Sequence, residues 1–184
     1  MIEWKTLEAE FNQKAQTVYT YLQNEFQKIN SGRVNPNMFN QLKVSAYGEM
    51  TPLMQLANVQ AVDARQLLIK PYDRSLVKEV AKALSESEYR VNPQVNPDCI
   101  RIIFAPLTEE TRRDAVKKAK EYFNQAMQKL RTVRQEVQSK YKKAPDVSDD
   151  DIRYFEDQLN KITKVANKKL EDIFAAKEKD LMSL

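Results

Sequence analysis

The sequence predicts an α+β protein of two domains. A long antiparallel three-helix bundle is formed by residues 1–30 and 106–184, and a small β-rich α/β domain, residues 31–105, is inserted into it. Three observations carry this. Apolar residues recur at three- and four-residue intervals from Ile2 to Ile29 and again after Pro106, the spacing of long helices that bury one stripe. Between these stretches the apolar period falls to two, the spacing of strands. A strand-period segment cannot join a helical seam, so it must fold as a body of its own. The chain then crosses between the bodies twice, which makes Ser31, Gly32, Arg33 and Val34, with Ala105 and Pro106, the expected hinge.

The first helix runs from Ile2 to Ile29, with Leu7, Phe11, Ala15, Val18, Leu22, Phe26 and Ile29 as its seam. Asn30-Ser31-Gly32 is expected to end it, glycine taking the left-handed cap, and Pro36 prevents its resuming. Leu42 to Tyr47 alternates and stops at the turn signal Tyr47-Gly48-Glu49. Asn58–Val62 alternates again, and Gln66–Lys70 is a short apolar run closed by Pro71. Asp73-Arg74-Ser75 leads into one amphipathic helix through Leu76, Val77, Val80, Ala81 and Leu84. Asn92-Pro93 and Asn96-Pro97 mark a loop before a last strand from Cys99 to Phe104, which makes four or so strands and one helix.

Pro106-Leu107-Thr108-Glu109-Glu110 begins the second long helix, Thr108 capping it and the glutamates facing its positive end. Its seam is Val116, Ala119, Phe123, Ala126, Leu130, Val133, Val137 and Tyr141, and Pro145 breaks it. Ser148 with Asp151 resembles a capping box. The third seam is Ile152, Phe155, Leu159, Ile162, Ala166, Leu170 (or Lys169) and Ile173.

Composition excludes most chemistry. The 184 residues contain no histidine, which removes imidazole acid–base catalysis and His-ligated metals. Two glycines cannot make a phosphate-cradling loop, and a lone Cys99 without a histidine base is a poor nucleophile; it reads as a small buried strand residue. The best remaining acid cluster, Asp149, Asp150 and Asp151, stands in a helix's first turn, where capping accounts for it. No catalytic residue, cofactor or metal is expected, and the chain reads as a binding protein. It has no apolar run of the ~20 residues a membrane span needs, and Met1-Ile2-Glu3-Trp4-Lys5 lacks the features of a secretory signal. One cysteine and no signal place the protein in a reducing compartment, the cytoplasm. A monomer is expected.

Charge is uneven within a formal net of +4. From Arg112 to Lys143 eleven basic residues face three acidic ones, while the first helix and the segment after Lys143 are slightly acidic. A solvated face neutralised by its bundle neighbours is the plain reading. Against it, Arg131 and Arg134 lie three apart, where guanidinium groups suit bidentate contact with phosphate oxygens. Exposed interleaved aromatics for reading single-stranded bases are missing; Tyr19, Tyr21 and Tyr122 read as packing. The candidate phosphate-contacting residues are Arg33, Arg112, Arg113, Lys129, Arg131 and Arg134.

Several segments together resemble the bacterial ribosome recycling factor family. They are Ile29 to Pro36, Tyr47 to Ala57, Asp73-Arg74-Ser75, Leu107 to Glu110, Leu130-Arg131-Thr132-Val133-Arg134 and the tail Ala176 to Met182, in order along the whole chain. The resemblance implies an L-shaped pair of domains that binds the post-termination ribosome near the intersubunit bridges. With elongation factor G and its GTP hydrolysis, such a factor splits the subunits. It implies that the bundle contacts large-subunit ribosomal RNA through Arg131 and Arg134, that Arg33 matches the arginine after the hinge glycine, and that the β-domain meets elongation factor G. The chain departs from the family pattern at Asn30, Thr111 and Gln135, each standing where a basic residue is common, and at Ala105-Pro106, where two prolines are. The rival readings are a coiled-coil adaptor without an RNA partner and, excluded by the inventory above, an enzyme.

Overall fold

The computed structural model describes residues 3–89 and 91–183. They divide into two compact units, one of Met1–Phe26 with Val116–Leu184 and one of Gln27–Ala115. Ile2, the expected start of the first seam, lies outside the described residues.

The first unit is helical. Helix α1 spans Trp4–Gln27, α4 spans Glu109–Lys142 and continues into this unit from the other, and α5 spans Asp149–Met182. In α1 the six seam positions from Leu7 to Phe26 are buried; the seventh, Ile29, is buried too but lies beyond the helix and in the second unit. So are Ala119 to Tyr141 of the α4 seam, while Val116 is half-buried. In α5 Phe155, Leu159, Ala166 and Leu170 are buried, which settles Leu170 over Lys169 as the seam residue. Ring pairs give the directions. Trp4 meets Phe155 and Phe26 meets Phe174, so α1 and α5 run parallel. Lys140 meets Glu10 while Lys129 meets Tyr21, and Lys142 meets Glu156 while Phe123 meets Phe174, so α4 runs opposite to both. Helix starts are written into the sequence as expected. Thr108 Oγ1 accepts the Thr111 N–H at 3.2 Å, and Ser148 with Asp151 forms a reciprocal capping box.

Helix α1 stops at Gln27, five residues before Gly32, so Gly32 is not its cap. Gly32 instead adopts φ +74° in a turn whose N–H is accepted by Asn30 Oδ1 at 2.8 Å. The left-handed conformation was legible; the element it serves is a different one.

Among the described residues the second unit holds six strands and more helix than the period suggested. β1 (Lys43–Ala46) and β2 (Glu49–Pro52) form a hairpin. Its two turn residues, Tyr47 and Gly48, have φ +53° and +84°, the sign required at both centres of a tight twisted hairpin. A single turn, α2 (Leu53–Leu56), leads into β3 (Ala57–Asp63), paired antiparallel with β4 (Gln66–Pro71). Asp73 accepts the Ser75 N–H at 2.9 Å and so starts the 3₁₀ turn Arg74–Leu76, which runs into α3 (Val77–Glu86). β5 (Pro93–Val95) and β6 (Ile100–Ile103) complete a sheet in the order β3-β4-β6-β5. Its inward residues Leu67, Ile69, Ile100 and Ile102 pack with Val80 and Leu84 of α3 and with Phe39 and Val44 in one core.

Three expectations are corrected here. Glu49–Pro52 and Pro93–Val95 are strands that the period did not reveal. Both are short, both contain proline, and neither presents a buried stripe; proline is tolerated in β5 because it opens an edge strand. The short turn Leu53–Leu56 was likewise not legible. Cys99 is half-buried just before β6 rather than a buried strand residue. It closes the hairpin as the acceptor of the Asn96 N–H at 2.8 Å.

Candidate nucleic-acid interface

Burial of the α4 seam determines where its basic side chains go. Each is placed on the solvent arc or on a flank beside α1 or α5, and its neighbours decide whether its charge stays available.

Toward the end of α4 the plain reading of the charge holds. Lys140 Nζ lies 2.6 Å from Glu10 of α1, Lys14 lies 2.5 Å from Glu136, and Lys142 lies 2.8 Å from Glu156 of α5. These contacts depress the carboxyls: Glu10 through hydrogen bonds from Lys140 and Lys14, Glu156 through those from Lys142 and Gln138. Lys14 is raised in turn, chiefly by Glu136. Near the helix start Arg113 Nη2 is 2.6 Å from Glu109, a solvent-exposed pair of little strength.

The middle of α4 is different. Arg131 is exposed and makes no side-chain hydrogen bond or ion pair among the described residues. Arg134, one turn on, is half-buried against α5; its Nη2 donates to Asn160 Oδ1 at 2.7 Å, and its Nε is buried without an acceptor. Its partner is a neutral amide, so the guanidinium charge is not cancelled by an ion pair. Lys129 sits on the opposite flank, its Nζ 4.5 Å above the Tyr21 ring, and Tyr21 donates to Gln125 Oε1 at 2.7 Å. A ring contact of this kind orients an ammonium and leaves its charge in place. Tyr19 is buried beneath Lys169, and Tyr122 lies under Lys118, so these rings pack.

Of the six expected contact residues, Arg131 and Arg134 therefore share one flank on successive turns of α4, and Lys129 faces α1 instead. Arg33, Arg112 and Arg113 belong to the second unit, where Arg33 is exposed and Arg112 half-exposed. Sequence reasoning missed Asn160, Gln138 and Glu156, the α5 and α4 side chains that frame Arg134. No local signal marks Asn160, which is 26 positions from its partner on another helix.

Ser31, Gly32, Arg33, Val34, Ala105 and Pro106, the residues expected as the hinge, all lie within the second unit, Gln27–Ala115. The Val34 N–H reaches Ala64 O at 3.1 Å and the Phe104 N–H reaches Arg65 O at 2.8 Å, while a side chain at Gly32 would sit 3.3 Å from Leu107 Cγ. Among the described residues no group of three or more acids or cysteines is arranged to hold a metal, and no helix is long and apolar enough to cross a membrane. This surface can bind anionic oxygens.

Known proteins match the chain along its full length. The family model for ribosome recycling factor matches residues 22–182. The ribosome-recycling factor of Ureaplasma urealyticum is 40% identical over 183 residues, covering 100% of both chains, and that of Clostridium perfringens is 36% identical over 166 residues, covering 89% of this chain and 90% of the other. A solution structure of the ribosome recycling factor superposes with a TM-score of 0.81 at 28% identity, each chain covered in full. A chain from models of the T. thermophilus ribosome recycling factor and the E. coli elongation factor G bound to the E. coli post-termination complex gives 0.64 at 31% identity, covering 99% of this chain and 100% of that one. A match of this length and identity places the chain in the ribosome recycling factor family.

Proposed function

We propose that the chain acts as a ribosome recycling factor. It binds the post-termination ribosome and, together with elongation factor G and the GTP hydrolysis of that partner, separates the subunits so that mRNA and tRNA leave. The observation that carries this reading is the similarity to ribosome-recycling factors along the full length of the chain. The guanidinium groups of Arg131 and Arg134, neither held in an ion pair among the described residues, support it from the side of physical chemistry: such groups are suited to phosphate oxygens, and phosphate contact positions a protein on folded RNA without reading sequence.

In this reading Arg131 and Arg134, with Lys129, Arg112, Arg113 and Arg33, meet large-subunit ribosomal RNA near the intersubunit bridges. The body formed by residues 31–105 meets elongation factor G and swings on Ser31, Gly32, Arg33, Val34, Ala105 and Pro106 against the body of residues 1–30 and 106–184. Hinges absorb rotation in a few residues at the ends of elements, and these six are the ones the change of apolar period marks in the sequence. The factor performs no covalent step of its own, since GTP is hydrolysed by the partner. It works as a monomer in the cytoplasm, where its ribosomal substrate is.

The test is subunit separation from post-termination ribosomes followed by light scattering, with the chain added alone and with elongation factor G and GTP. Separation only when both are present is expected. Separation by neither addition, or by the chain without the GTPase, contradicts the reading.

A further inference from the structure

We propose that Asn160 is a positioning residue for RNA contact: it holds the Arg134 guanidinium so that the outer N–H groups of that side chain face a phosphate. The inference rests on the reading of Arg134 given above.

Helices α4 and α5 pair through a row of polar contacts. Gln138 Nε2 donates to Glu156 Oε1 at 3.1 Å, Lys142 Nζ lies 2.8 Å from the same oxygen, and one turn away Arg134 Nη2 donates to Asn160 Oδ1 at 2.7 Å. The row sorts its partners by charge. The carboxylate of Glu156 is occupied by an ammonium and an amide, while the guanidinium receives a neutral acceptor. An amide oxygen fixes the plane of a guanidinium through one N–H and adds no negative charge of its own, and the nearby Glu156 carboxylate, whose field reaches Arg134, spends its hydrogen bonds on Lys142 and Gln138. A carboxylate at position 160 would fix it as well and cancel the charge that phosphate requires.

The geometry also assigns the five donors of Arg134. One is given to Asn160, and Nε faces inward without an acceptor. The two on Nη1 and the second on Nη2 are left for an outside oxygen. A buried donor with no partner subtracts from stability, so the packing of Arg134 against α5 is not explained by what it contributes to the fold. It is explained by orientation. A long side chain already ordered in the free protein loses less conformational freedom on binding than one waving in solvent.

Asn160 is exposed in mid-helix, so alanine there keeps the helix and improves its propensity. The structural and positioning roles therefore predict different results. Affinity of the full chain for purified large ribosomal subunits is measured at fixed salt for wild type, Asn160→Ala, Arg134→Ala and the double variant, beside urea unfolding of each. Asn160→Ala is expected to weaken binding roughly three- to tenfold, the ordering cost of one long side chain, without lowering the unfolding midpoint. In the Arg134→Ala background the same change should have no effect. Asn160→Gln, which keeps an amide acceptor within reach, should recover part of the loss. Equal losses in both backgrounds, or wild-type affinity for Asn160→Ala while Arg134→Ala binds weakly, overturn the positioning role and leave the Arg134 reading standing. Wild-type affinity for Arg134→Ala overturns both.

Discussion

Gly32 and Gly48 share a backbone sign and differ in surroundings. Both lie at positive φ, where an L side chain costs about 1–2 kcal/mol. A Cβ at Gly48 meets nothing within 4 Å, whereas one at Gly32 comes within 3.3 Å of Leu107 Cγ. Gly32→Ala should therefore destabilise more than Gly48→Ala in urea unfolding, each by at least about 1 kcal/mol. The reverse order would mean that Leu107 yields freely. At Arg131, where nothing in the fold depends on the side chain, alanine should leave the melting temperature unchanged and weaken ribosome binding about tenfold, the value of one lost charge-assisted contact. An equal loss of thermal stability would move Arg131 into the structural framework. Residues such as Gly32 and Arg131 could be singled out from the sequence because one type has unique backbone freedom and the other a unique planar fork. Their partners, Leu107 and open solvent, could not.

Long elements declare themselves and short ones do not. The three seams were legible because a stripe repeated over seven turns outweighs any single exception. β2 and β5 were not, since three or four residues with a proline and no buried face carry no period. The cap of α5 was legible at its own scale, and Ser148→Ala should cost about 1 kcal/mol in chemical unfolding by freeing the Asp151 N–H. No change there would mean that Asp151 or water replaces the hydroxyl. Between α1 and α4 the pairs of Glu10, Lys14, Glu136 and Lys140 make a pH-dependent seam. The Glu10 carboxyl is depressed below its usual range in the folded state by hydrogen bonds from Lys140 and Lys14. Its contribution is thus complete above the ordinary glutamate range and lost as pH falls through the depressed value. Glu10→Gln should flatten the acid limb of the stability profile while changing stability at neutral pH by at most about 1 kcal/mol, as expected of a surface network. An unaltered acid limb would assign that slope to other carboxyls. None of these cross-helix pairs was legible, because register between helices is set by packing that a single sequence does not display.

At the scale of the molecule, six of the eleven basic residues between Arg112 and Lys143 are set apart by their surroundings. Lys140, Lys142 and Arg113 are paired with carboxylates; Arg134 feels the Glu156 carboxylate without an ion pair, and Arg131 and Lys129 have no carboxylate partner among the described residues. The net excess of basic residues was visible in the sequence; its division was not, since it depends on acids carried by other helices and, for Arg113, on which rotamers meet. The account turns on that division, because only uncancelled charge displaces the counterions of RNA. The most direct measurement is the affinity of the full chain for purified large ribosomal subunits across a series of salt concentrations. With ~5 phosphates neutralised, log affinity should fall by roughly 4 per tenfold rise in salt, and Arg131→Ala should reduce that slope by about 1. An affinity nearly independent of salt, or a slope unmoved by Arg131→Ala, would contradict the account.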